Sequence, residues 1–583
     1  MKHKFSKSAI IFSAVYCFLI GTVNAEDVNT ADISREAARQ ASKENDEKVI
    51  ENVEIKEEEN DNPEVEKIPK ETFKLKGIII DSDIDDINQE SVQHIIDPYI
   101  NKKVNIDILR IIASHIKIFC RDKGWLAAVA YIPEQDSTDG TVKIKIMSPN
   151  FGKVIFNNES RIADDILQKV GENISQDHMV ENDKIENVLY LINEIGGIRA
   201  RGALIPDTST RRINLNINVV DDETKRGILY LENYGSKYSG RYRTGLIYDI
   251  YNIDNRGSRL EVSGLLSSQK AALGQFFDKN LDNYVVDYSW ITDRKTTSRL
   301  GVSFGRTTYH QHGLASSIIQ DSGGHSMDFQ IHGTTPVWKT IHDGFTWNYG
   351  YKFRKVTNSA DYDFSSYGVI AELFPDMFPT HNANENYVHT ASLGISGYNR
   401  SLFNDLFNYS FTIYGGYNSP RTDSARNLAE LTGSEGHFFK SQLVLDYRKL
   451  LSKACEFHTN ITFQNASKGL NSSEQMQIGG ATGVRGYADG DCTGDEGYLT
   501  KTELIWHTDI SGLSLSAFLD IGGSGYKVDH DIQTIRSWGI EANYVKPNDY
   551  FVKLDYARKI GNNLQVASDD KKHRFWFMVG KIF

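Results

Sequence analysis

Cysteine and proline are scarce in this chain, which has four cysteines and eleven prolines among 583 residues. We expect Cys17 to be removed with an amino-terminal secretion signal, which leaves Cys120, Cys455 and Cys492. An odd number of cysteines so far apart in sequence excludes a disulfide framework. No run of about 18 apolar residues follows residue 25, so a second membrane-spanning helix is excluded as well. A soluble periplasmic protein and an outer-membrane β-barrel remain, and the abundant glycine, tyrosine and phenylalanine with low mean hydropathy favour the barrel.

Sequence patterns for catalysis and cofactor binding are also lacking. The chain has no GxxxxGKS/T, HExxH or CxxC pattern, so neither nucleotide hydrolysis nor structural zinc is predicted. Gly301–Gly305 matches the GxSxG pattern of a nucleophile elbow, but it lies inside an alternating strand pattern rather than at a strand-to-helix turn. The 16 histidines show no ligand spacing. We therefore predict no catalytic residue, no cofactor and no metal, and the net charge of −12 argues against nucleic-acid binding.

Two segments precede the first folded module. Residues 1–25 have the form of a secretory signal peptide, with lysines, then an apolar run, then the small-residue site Val23–Ala25. Residues 26–70 contain 15 acidic and 7 basic side chains, which accounts for most of the net charge. A weak helical stripe follows Asp32 and consists of Ile33, Ala37, Ala38 and Ala41. The segment is interpreted as a disordered acidic spacer, with a short functional helix as the alternative.

Residues 71–148 and 149–222 share one predicted order of elements, which is strand, helix, helix, strand, strand. In the first module, apolar residues at i, i+3 and i+4 mark a helix from Ile108 to Phe119 that stops at Gly124. The predicted strands of the two modules cover residues 73–80, 126–132, 142–147, 153–156, 198–205 and 213–219. Two modules of one order indicate an internal repeat.

From residue 226 apolar and polar residues alternate, as in Phe345–Phe353, where every second residue is aromatic. Sixteen such segments are predicted near residues 226–235, 241–252, 258–268, 283–292, 299–309, 326–333, 345–356, 387–398, 407–417, 438–448, 456–464, 498–507, 513–521, 536–545, 550–558 and 574–583. Short gaps alternate with long ones, as in outer-membrane barrels. Because sandwiches rarely exceed about ten strands without splitting, a 16-stranded antiparallel transmembrane β-barrel is predicted over residues 223–583.

The most informative pattern is Gly479–Tyr487, which places one arginine, Arg485, among glycines in the long gap 465–497. A strand later, Asp520 occupies a predicted lumen-facing position. An arginine facing the lumen needs a carboxylate partner, and the planar guanidinium offers bidentate geometry to it. We therefore predict that the loop 465–497 folds back into the barrel.

These features resemble the two-partner secretion outer-membrane transporters, the TpsB class of the BamA-like superfamily, whose modules are called POTRA domains. Val484–Tyr487 resembles the VRGY loop motif of that family, and Phe518–Gly522 resembles its partner motif on the barrel wall. The resemblance implies two α+β POTRA repeats followed by the barrel. It also implies a barrel lock formed by Val484, Arg485, Gly486, Tyr487, Phe518, Asp520 and Gly522.

Two further sets of residues follow from the resemblance. Candidate substrate-binding positions on POTRA strands are Leu126, Val129, Tyr131, Ile198 and Leu204. The carboxy-terminal assembly signal would include Phe577 and Phe583, although Lys581 stands where an apolar residue is usual. Some relatives plug the pore with an amino-terminal helix, but the helix expected here is only weakly amphipathic, so the plug stays an open alternative.

The implied function is secretion of one unfolded partner exoprotein, an adhesin, haemolysin or contact-dependent toxin, across the outer membrane of a Gram-negative bacterium. POTRA domains in the periplasm would capture it. Outer-membrane lipids, the barrel-assembly machinery and periplasmic chaperones are further implied partners, and nucleic acid is not. The alternatives are a BamA- or TamA-like assembly factor, whose relatives usually carry more POTRA modules, and a passive porin or surface receptor.

Overall fold

The computed structural model describes most of the two modules and the barrel. The described residues are 34–41, 53–54, 72–125, 127–135, 137, 139–148, 150–174, 182–207, 212–236, 240–269, 280–312, 319–362, 381–400, 405–529, 531–561 and 571–583. The predicted signal peptide and Leu126 lie outside them. Among the described residues, no helix has the length and apolar character needed to cross a membrane.

Two short elements and the first POTRA domain come first in the chain. Helix α1 covers residues 34–41, and the strand β1 is Val53–Glu54. The first POTRA domain contains β2 (Phe73–Lys74), β3 (Gly77–Ser82), α2 (Gln89–Ile96), β4 (Lys103–Val104), α3 (Ile106–Asp122), β5 (Val129–Tyr131) and β6 (Thr141–Met147). The strand predicted at residues 73–80 is divided into β2 and β3, and the one predicted at 126–132 is shorter, as β5.

Helix α3 shows how the sequence produces this domain. The side chain of Asn105 caps its first turn by accepting a hydrogen bond of 3.0 Å from the Ile108 amide. Its buried residues include Leu109, Ile112 and Ile116, at the helical spacing predicted from the sequence. They pack against a sheet in which β6 is central, parallel to β3 and antiparallel to β5.

The second POTRA domain repeats the same order. Its elements are β7 (Phe151–Asn158), α4 (Asp164–Gly171), α5 (Asn182–Asn193), β8 (Ile198–Asp207) and β9 (Arg212–Asp221). Here β9 is central, between β7 and β8. The strand β1 from the acidic segment adds to the outer edge of β8, parallel to it, with Val53 opposite Gly202 and Glu54 opposite Ala203.

The rest of the chain forms a closed barrel of sixteen strands, as predicted. In chain order the strands are β10 (Lys225–Glu232), β11 (Tyr242–Tyr251), β12 (Arg259–Ser268), β13 (Leu281–Asp293), β14 (Ser298–His312), β15 (Ile319–Lys339), β16 (Asp343–Tyr362), β17 (His381–Asn399), β18 (Leu406–Pro420), β19 (Gly436–Ser452), β20 (Cys455–Ala466), the short loop strands β21 (Met476–Gln477) and β22 (Thr493–Gly494), which stand outside the barrel sheet, and then β23 (Glu496–His507), β24 (Leu513–Gly525), β25 (Ile532–Lys546), β26 (Tyr550–Lys559) and β27 (His573–Ile582). All neighbours are antiparallel, and β27 closes the barrel by pairing with β10.

Some strands are much longer than the alternation suggested. β15 has 21 residues and β16 has 20, whereas a tilted strand crosses the bilayer with about 9–11 residues. Their ends therefore project beyond the membrane on the side of the long loops. A helix, α6 (Asp423–Thr432), also lies in the loop before β19, where no helix was predicted. Thr422 caps its first turn and Gly433, with φ of 65°, ends it.

The second POTRA domain is attached to the periplasmic turns of the barrel. Asp165 on α4 forms ion pairs with Arg256 at 2.8 Å and with Arg294, which belong to two different turns. Partial burial alone would raise the pKa of Asp165, but its hydrogen bond to Arg256 and both positive charges outweigh that effect and lower the pKa. Arg299 on β14 donates to the carbonyl oxygen of Ile195 at 2.7 Å. These contacts fix the domain at the mouth of the barrel.

Candidate functional site

The loop between β20 and β23 folds into the barrel, as its glycine-rich sequence predicts. Its two limbs pair with each other through β21 and β22, where Met476 lies opposite Gly494. Beyond this ladder the Ile478 amide donates to the Cys492 carbonyl oxygen at 3.1 Å. We call residues 478–492 the loop tip.

Basic residues of the barrel wall hold the base of the loop at residues 472–474. Lys440 on β19 donates to the Glu474 carboxylate at 2.7 Å and to the Glu474 carbonyl oxygen at 3.1 Å. Arg354 on β16 donates to the Ser473 carbonyl oxygen at 3.1 Å. Because Lys440 and Glu474 are both nearly buried, this pair is shielded from water and anchors the base to one side of the wall.

Close backbone packing explains two glycines of the motif. A Cβ at Gly483 would lie 2.0 Å from the Ile478 carbonyl oxygen, which accepts a hydrogen bond of 2.8 Å from the Val484 amide. A Cβ at Gly486 would lie 2.7 Å from the Cβ of Ser537 on β25. The two positions therefore need glycine, and they bring the backbone around residue 485 against the wall.

The side chain of Arg485 is fully buried and meets four carboxylates on four adjacent strands. Its Nε and Nη2 donate to the two carboxylate oxygens of Asp520 at 2.9 and 2.8 Å, a bidentate pair. Nη2 also lies 2.8 Å from Glu503, and Nη1 lies 2.9 Å from Glu541 and 3.2 Å from Asp555. One cation thus joins the loop to β23, β24, β25 and β26.

Aromatic residues complete this contact. The guanidinium carbon of Arg485 lies 3.3 Å from the centre of the Phe518 ring. Trp576 on β27 donates its indole N–H to the Arg485 carbonyl oxygen at 2.7 Å. The ammonium of Lys559 lies 4.6 Å from the centre of the Tyr487 ring. Both the side chain and the backbone of the arginine are therefore fixed by the wall.

The other residues predicted for the lock lie in the same place. Val484 and Tyr487 are buried in a small cluster with Ile478 of the loop and Ile535 of β25. Gly522 faces that cluster, since a Cβ there would lie 2.4 Å from the Ile478 side chain. The motif on β24 is thus the surface on which the loop tip rests.

Sequence reasoning missed several partners of Arg485, and these are Glu503, Glu541, Asp555 and Trp576. All four occupy positions that face the lumen in the alternation of their strands, which is the only signal the sequence offers. Their meeting at one level depends on the stagger between strands, which pairs Glu503 with Phe518 and Glu541 with Asp555. The alternation by itself does not specify that stagger.

Helix α1 lies inside the barrel against β10, β11 and β12. Ser34 donates to the Glu232 carboxylate at 2.9 Å, and Arg35 donates to the Ser263 hydroxyl at 2.9 Å. Arg39 pairs with both Asp249 and Glu261. Ala38 is fully buried in a cluster with wall residues. The charged contacts of this helix are made by Arg35 and Arg39. Its weak apolar stripe contributes Ala38 to the apolar contact with the wall.

The predicted POTRA positions differ in exposure. Val129 and Tyr131 on β5 are 42% and 39% exposed, at an edge of their sheet. Ile198 and Leu204 on β8 are 3% and 2% exposed, with their side chains in the domain core. The side chains of Ile198 and Leu204 are therefore not available to a partner, and β1 occupies part of the backbone edge of β8.

The carboxy-terminal residues lie at the seam of the barrel. The Phe583 amide donates to the Gly227 carbonyl oxygen at 3.0 Å, which continues the pairing of β27 with β10. Phe577 is half-buried in β27. Lys581, the unusual residue of this strand, pairs with Asp549 in the turn before β26. Its charge is thus balanced at the periplasmic rim.

The three described cysteines are unpaired. Cys120 is completely buried in the first POTRA domain, and burial raises the pKa of its thiol to about 11. It is a core residue rather than a reactive thiol. In the part of the chain that the structure describes, no three histidine, cysteine, aspartate or glutamate side chains are grouped to hold a metal.

Two family models match this chain. Residues 376–544 match the haemolysin secretion/activation protein ShlB/FhaC/HecB family, and residues 73–148 match the ShlB-type POTRA domain. The first match contains the in-folded loop and the Phe518–Gly522 motif. The second coincides with the first POTRA domain.

Similar proteins give the same assignment. The heme/hemopexin transporter protein HuxB of Haemophilus influenzae is 25% identical over 519 residues, which cover 87% of this chain and 86% of HuxB. The outer membrane transporter CdiB of Dickeya dadantii is 19% identical and covers 76% of this chain and 74% of its own. The structure of CdiB from Escherichia coli superimposes with a TM-score of 0.64 at 14% identity, covering 95% of this chain and 98% of that one, and so shares the fold. The family models, the relatives and the fold all indicate the TpsB class of two-partner secretion outer-membrane transporters, and the chain is an outer-membrane translocation pore with periplasmic POTRA domains and a secreted partner protein.

Proposed function

We propose that the contact between Arg485 and the wall carboxylates is the lock of this pore, and that secretion requires both its closure, which holds the loop at the wall, and its release. The observation that carries the proposal is the complete burial of Arg485 among carboxylates of four strands. A charge so deeply buried is tolerated only while its partners stay in place. The loop is therefore held in one position and is released as a unit.

Helix α1 is the plug of the same pore. Its contacts are with side chains of β10, β11 and β12, on the inner wall. Within residues 34–41 the apolar part of the contact is limited to small side chains, those of alanines such as Ala38 and Ala41, so no large apolar surface of this segment holds the helix. Such a helix leaves the lumen more easily than one held by a large apolar surface.

The POTRA domains receive the unfolded partner. An extended chain adds to an exposed sheet edge through backbone hydrogen bonds, and β5 and β8 provide such edges. On β8, the segment β1 takes the place that an incoming chain would occupy. Since β1 and α1 belong to one segment of the chain, displacement of β1 by the partner frees the segment that carries the plug.

Transport needs no nucleotide in this scheme. A partner that folds outside the cell gains several kcal/mol of folding free energy, which opposes its return through the pore. The barrel supplies the path and the POTRA domains supply recognition. No enzymatic step is required of this chain.

The secreted partner is an adhesin, a haemolysin or a contact-dependent toxin, or a protein that handles heme or hemopexin. Similarity to the heme/hemopexin transporter protein HuxB over 87% of this chain supports the last class. A large exoprotein encoded beside this chain would identify the partner.

Biogenesis involves the barrel-assembly machinery, periplasmic chaperones and outer-membrane lipids. Phe577 and Phe583 form the carboxy-terminal assembly signal, and the aromatic ends of the last strand support that role. The ion pair of Lys581 with Asp549 is compatible with it, because the pair forms only once β26 and β27 have met.

Deletion of the gene, followed by analysis of the medium and the outer membrane, tests the function. Loss of one exoprotein from the medium, restored by the intact chain, is the expected result. Loss of many barrel proteins would instead indicate an assembly factor. Altered solute uptake with normal secretion would indicate a porin.

A further inference from the structure

The plug helix and the loop tip meet at one pair of wall residues. Ser34 of α1 donates to Oε1 of Glu232 at 2.9 Å. The same Oε1 lies 3.8 Å from Nη1 of Arg243, and Nη2 of Arg243 donates to Asp489 of the loop tip at 3.0 Å. The order of contacts is therefore helix, Glu232, Arg243, loop.

The residues that connect the helix to the loop tip are buried, so the loss of one contact affects the others. Glu232 and Arg243 are 0% and 2% exposed. A small cavity lies between the helix, the wall and the loop tip, and its lining consists of Ser34, Tyr234, Arg243, Ala481, Thr482 and Asp489. Ala38 and Ala41 of the helix also share one apolar cluster with Ala481 of the loop.

We propose that the Glu232–Arg243 pair couples plug and loop, so that release of either one loosens the other. Arg243 and Asp489 are positioning residues in this coupling. While Asp489 balances Arg243, Oε1 of Glu232 stays free to accept from Ser34. When the loop tip leaves, the buried guanidinium of Arg243 loses Asp489, attracts Glu232 more strongly, and competes with Ser34 for the same oxygen.

The proposal rests on the plug and lock functions given above and adds the link between them. Coupling between two sites is reciprocal in free energy, so departure of the helix must weaken docking of the loop by the same factor. This second direction gives an independent measurement. Neither measurement needs the secreted partner.

The first experiment measures exposure of the helix. Ala41, which is 6% exposed, is replaced by cysteine in a chain carrying Cys455→Ser and Cys492→Ser, and its labelling by a maleimide is timed in the full-length protein in proteoliposomes. Asp489→Asn is expected to raise the labelling rate within the range of about 5- to 150-fold that is usual for coupled sites. Asp489→Glu is expected to restore the slow rate.

Glu474→Gln is the matched control, because Glu474 is also a buried loop carboxylate paired with a wall cation but lies at the loop base. An equal rise in Glu474→Gln would overturn the proposal by showing that any loosening of the loop exposes the helix. An unchanged rate in Asp489→Asn would overturn it too. Heat-modifiable migration in gels checks that each barrel is folded.

The second experiment uses the native Cys492, whose thiol lies 3.2 Å from the Ser524 hydroxyl on β24. Deletion of residues 34–41 is expected to speed labelling of Cys492 by the same factor by which Asp489→Asn speeds labelling at position 41. In a chain that already carries Asp489→Asn, the deletion is expected to change the labelling rate of Cys492 no further. Independent effects of the two changes would contradict the coupling. The lock is judged separately, because secretion by Arg485→Ala is a different readout.

Discussion

The carboxylate of Asp520 accepts three hydrogen bonds from Arg485, two from the guanidinium at 2.9 and 2.8 Å and one from the backbone amide at 3.1 Å. The wall residue therefore holds both the charge and the backbone of the loop. A bidentate pair fixes direction as well as distance. This geometry makes Asp520 the principal wall partner among the four carboxylates.

Removal of either partner is expected to impair secretion without preventing barrel insertion. Asp520→Asn leaves the buried guanidinium short of its main counter-charge, and breaking a buried pair costs about 3–5 kcal/mol. Arg485→Ala removes the one cation shared by all four carboxylates, although Glu541 keeps its ion pair with Lys553 at 3.1 Å. A free-energy change of about 1.4 kcal/mol in the secretion step corresponds to a factor of ten. Exoprotein in the medium, measured by immunoblot, should therefore fall about ten-fold or more in both variants.

The control for this measurement is Arg426→Ala, in which an exposed arginine of α6 loses its ion pair with Asp423. Secretion by this variant should stay at the level of the intact chain. Full secretion by both Asp520→Asn and Arg485→Ala would show that the pair is not a lock.

Trp576→Phe is expected to weaken docking of the loop only slightly. The change removes one hydrogen bond of 2.7 Å to the Arg485 carbonyl oxygen, and a typical bond of this kind contributes about 1 kcal/mol. Protease sensitivity of the loop should rise less than in Arg485→Ala. Trp538→Phe, on the lipid-facing side of β25, should have no effect, and equal effects of the two tryptophans would contradict this assignment.

Attachment of the second POTRA domain is expected to weaken at low pH through Asp165. Its pKa is lowered in the folded protein below the ordinary aspartate value of about 3.9. The stabilisation is therefore fully present above that ordinary value and is lost as the pH falls through the lower, folded value. Distances between spin labels on the domain and on a periplasmic turn should broaden below about pH 4.

The matched control for this pH effect is the neighbouring residue. Asp165→Asn should show the broad distances at neutral pH, whereas Asp164→Asn should not, because Asp164 bonds to Asn158 of its own domain at 2.7 Å. Unchanged distances in Asp165→Asn would place the attachment in other contacts, such as Arg299 with the Ile195 carbonyl oxygen.

Replacement of Val53 and Glu54 by two prolines is expected to expose the β8 edge. Proline lacks the backbone N–H that a ladder requires, so β1 can no longer pair with residues 202–203. Binding of an amino-terminal fragment of the exoprotein to the full chain should tighten, as measured by calorimetry. The same change at residues 60–61 is the control, and unchanged binding in the first variant would contradict competition at this edge.

Much of the architecture was predictable because it depends on local periodicity. The alternation of apolar and polar residues specified all sixteen barrel strands, and the helical spacing in Ile106–Asp122 specified the main helix of the first POTRA domain. Helix α6 was missed because the long gap after Pro420 was interpreted only as a loop, although Thr422 and Gly433 are ordinary helix-capping residues. The full lengths of β15 and β16 were missed because alternation weakens beyond the membrane.

The sequence by itself determined the barrel, the repeat and the arginine that needs a carboxylate, since each follows from residue order and the cost of burying charge. Only the tertiary structure decided that Glu503, Glu541 and Asp555 join Asp520 around Arg485, and that Ser34 and Asp489 share the Glu232–Arg243 pair. The physical reason is the stagger of strands in a closed barrel. It brings residues from distant parts of the chain to one level, and strand alternation alone leaves that level undetermined.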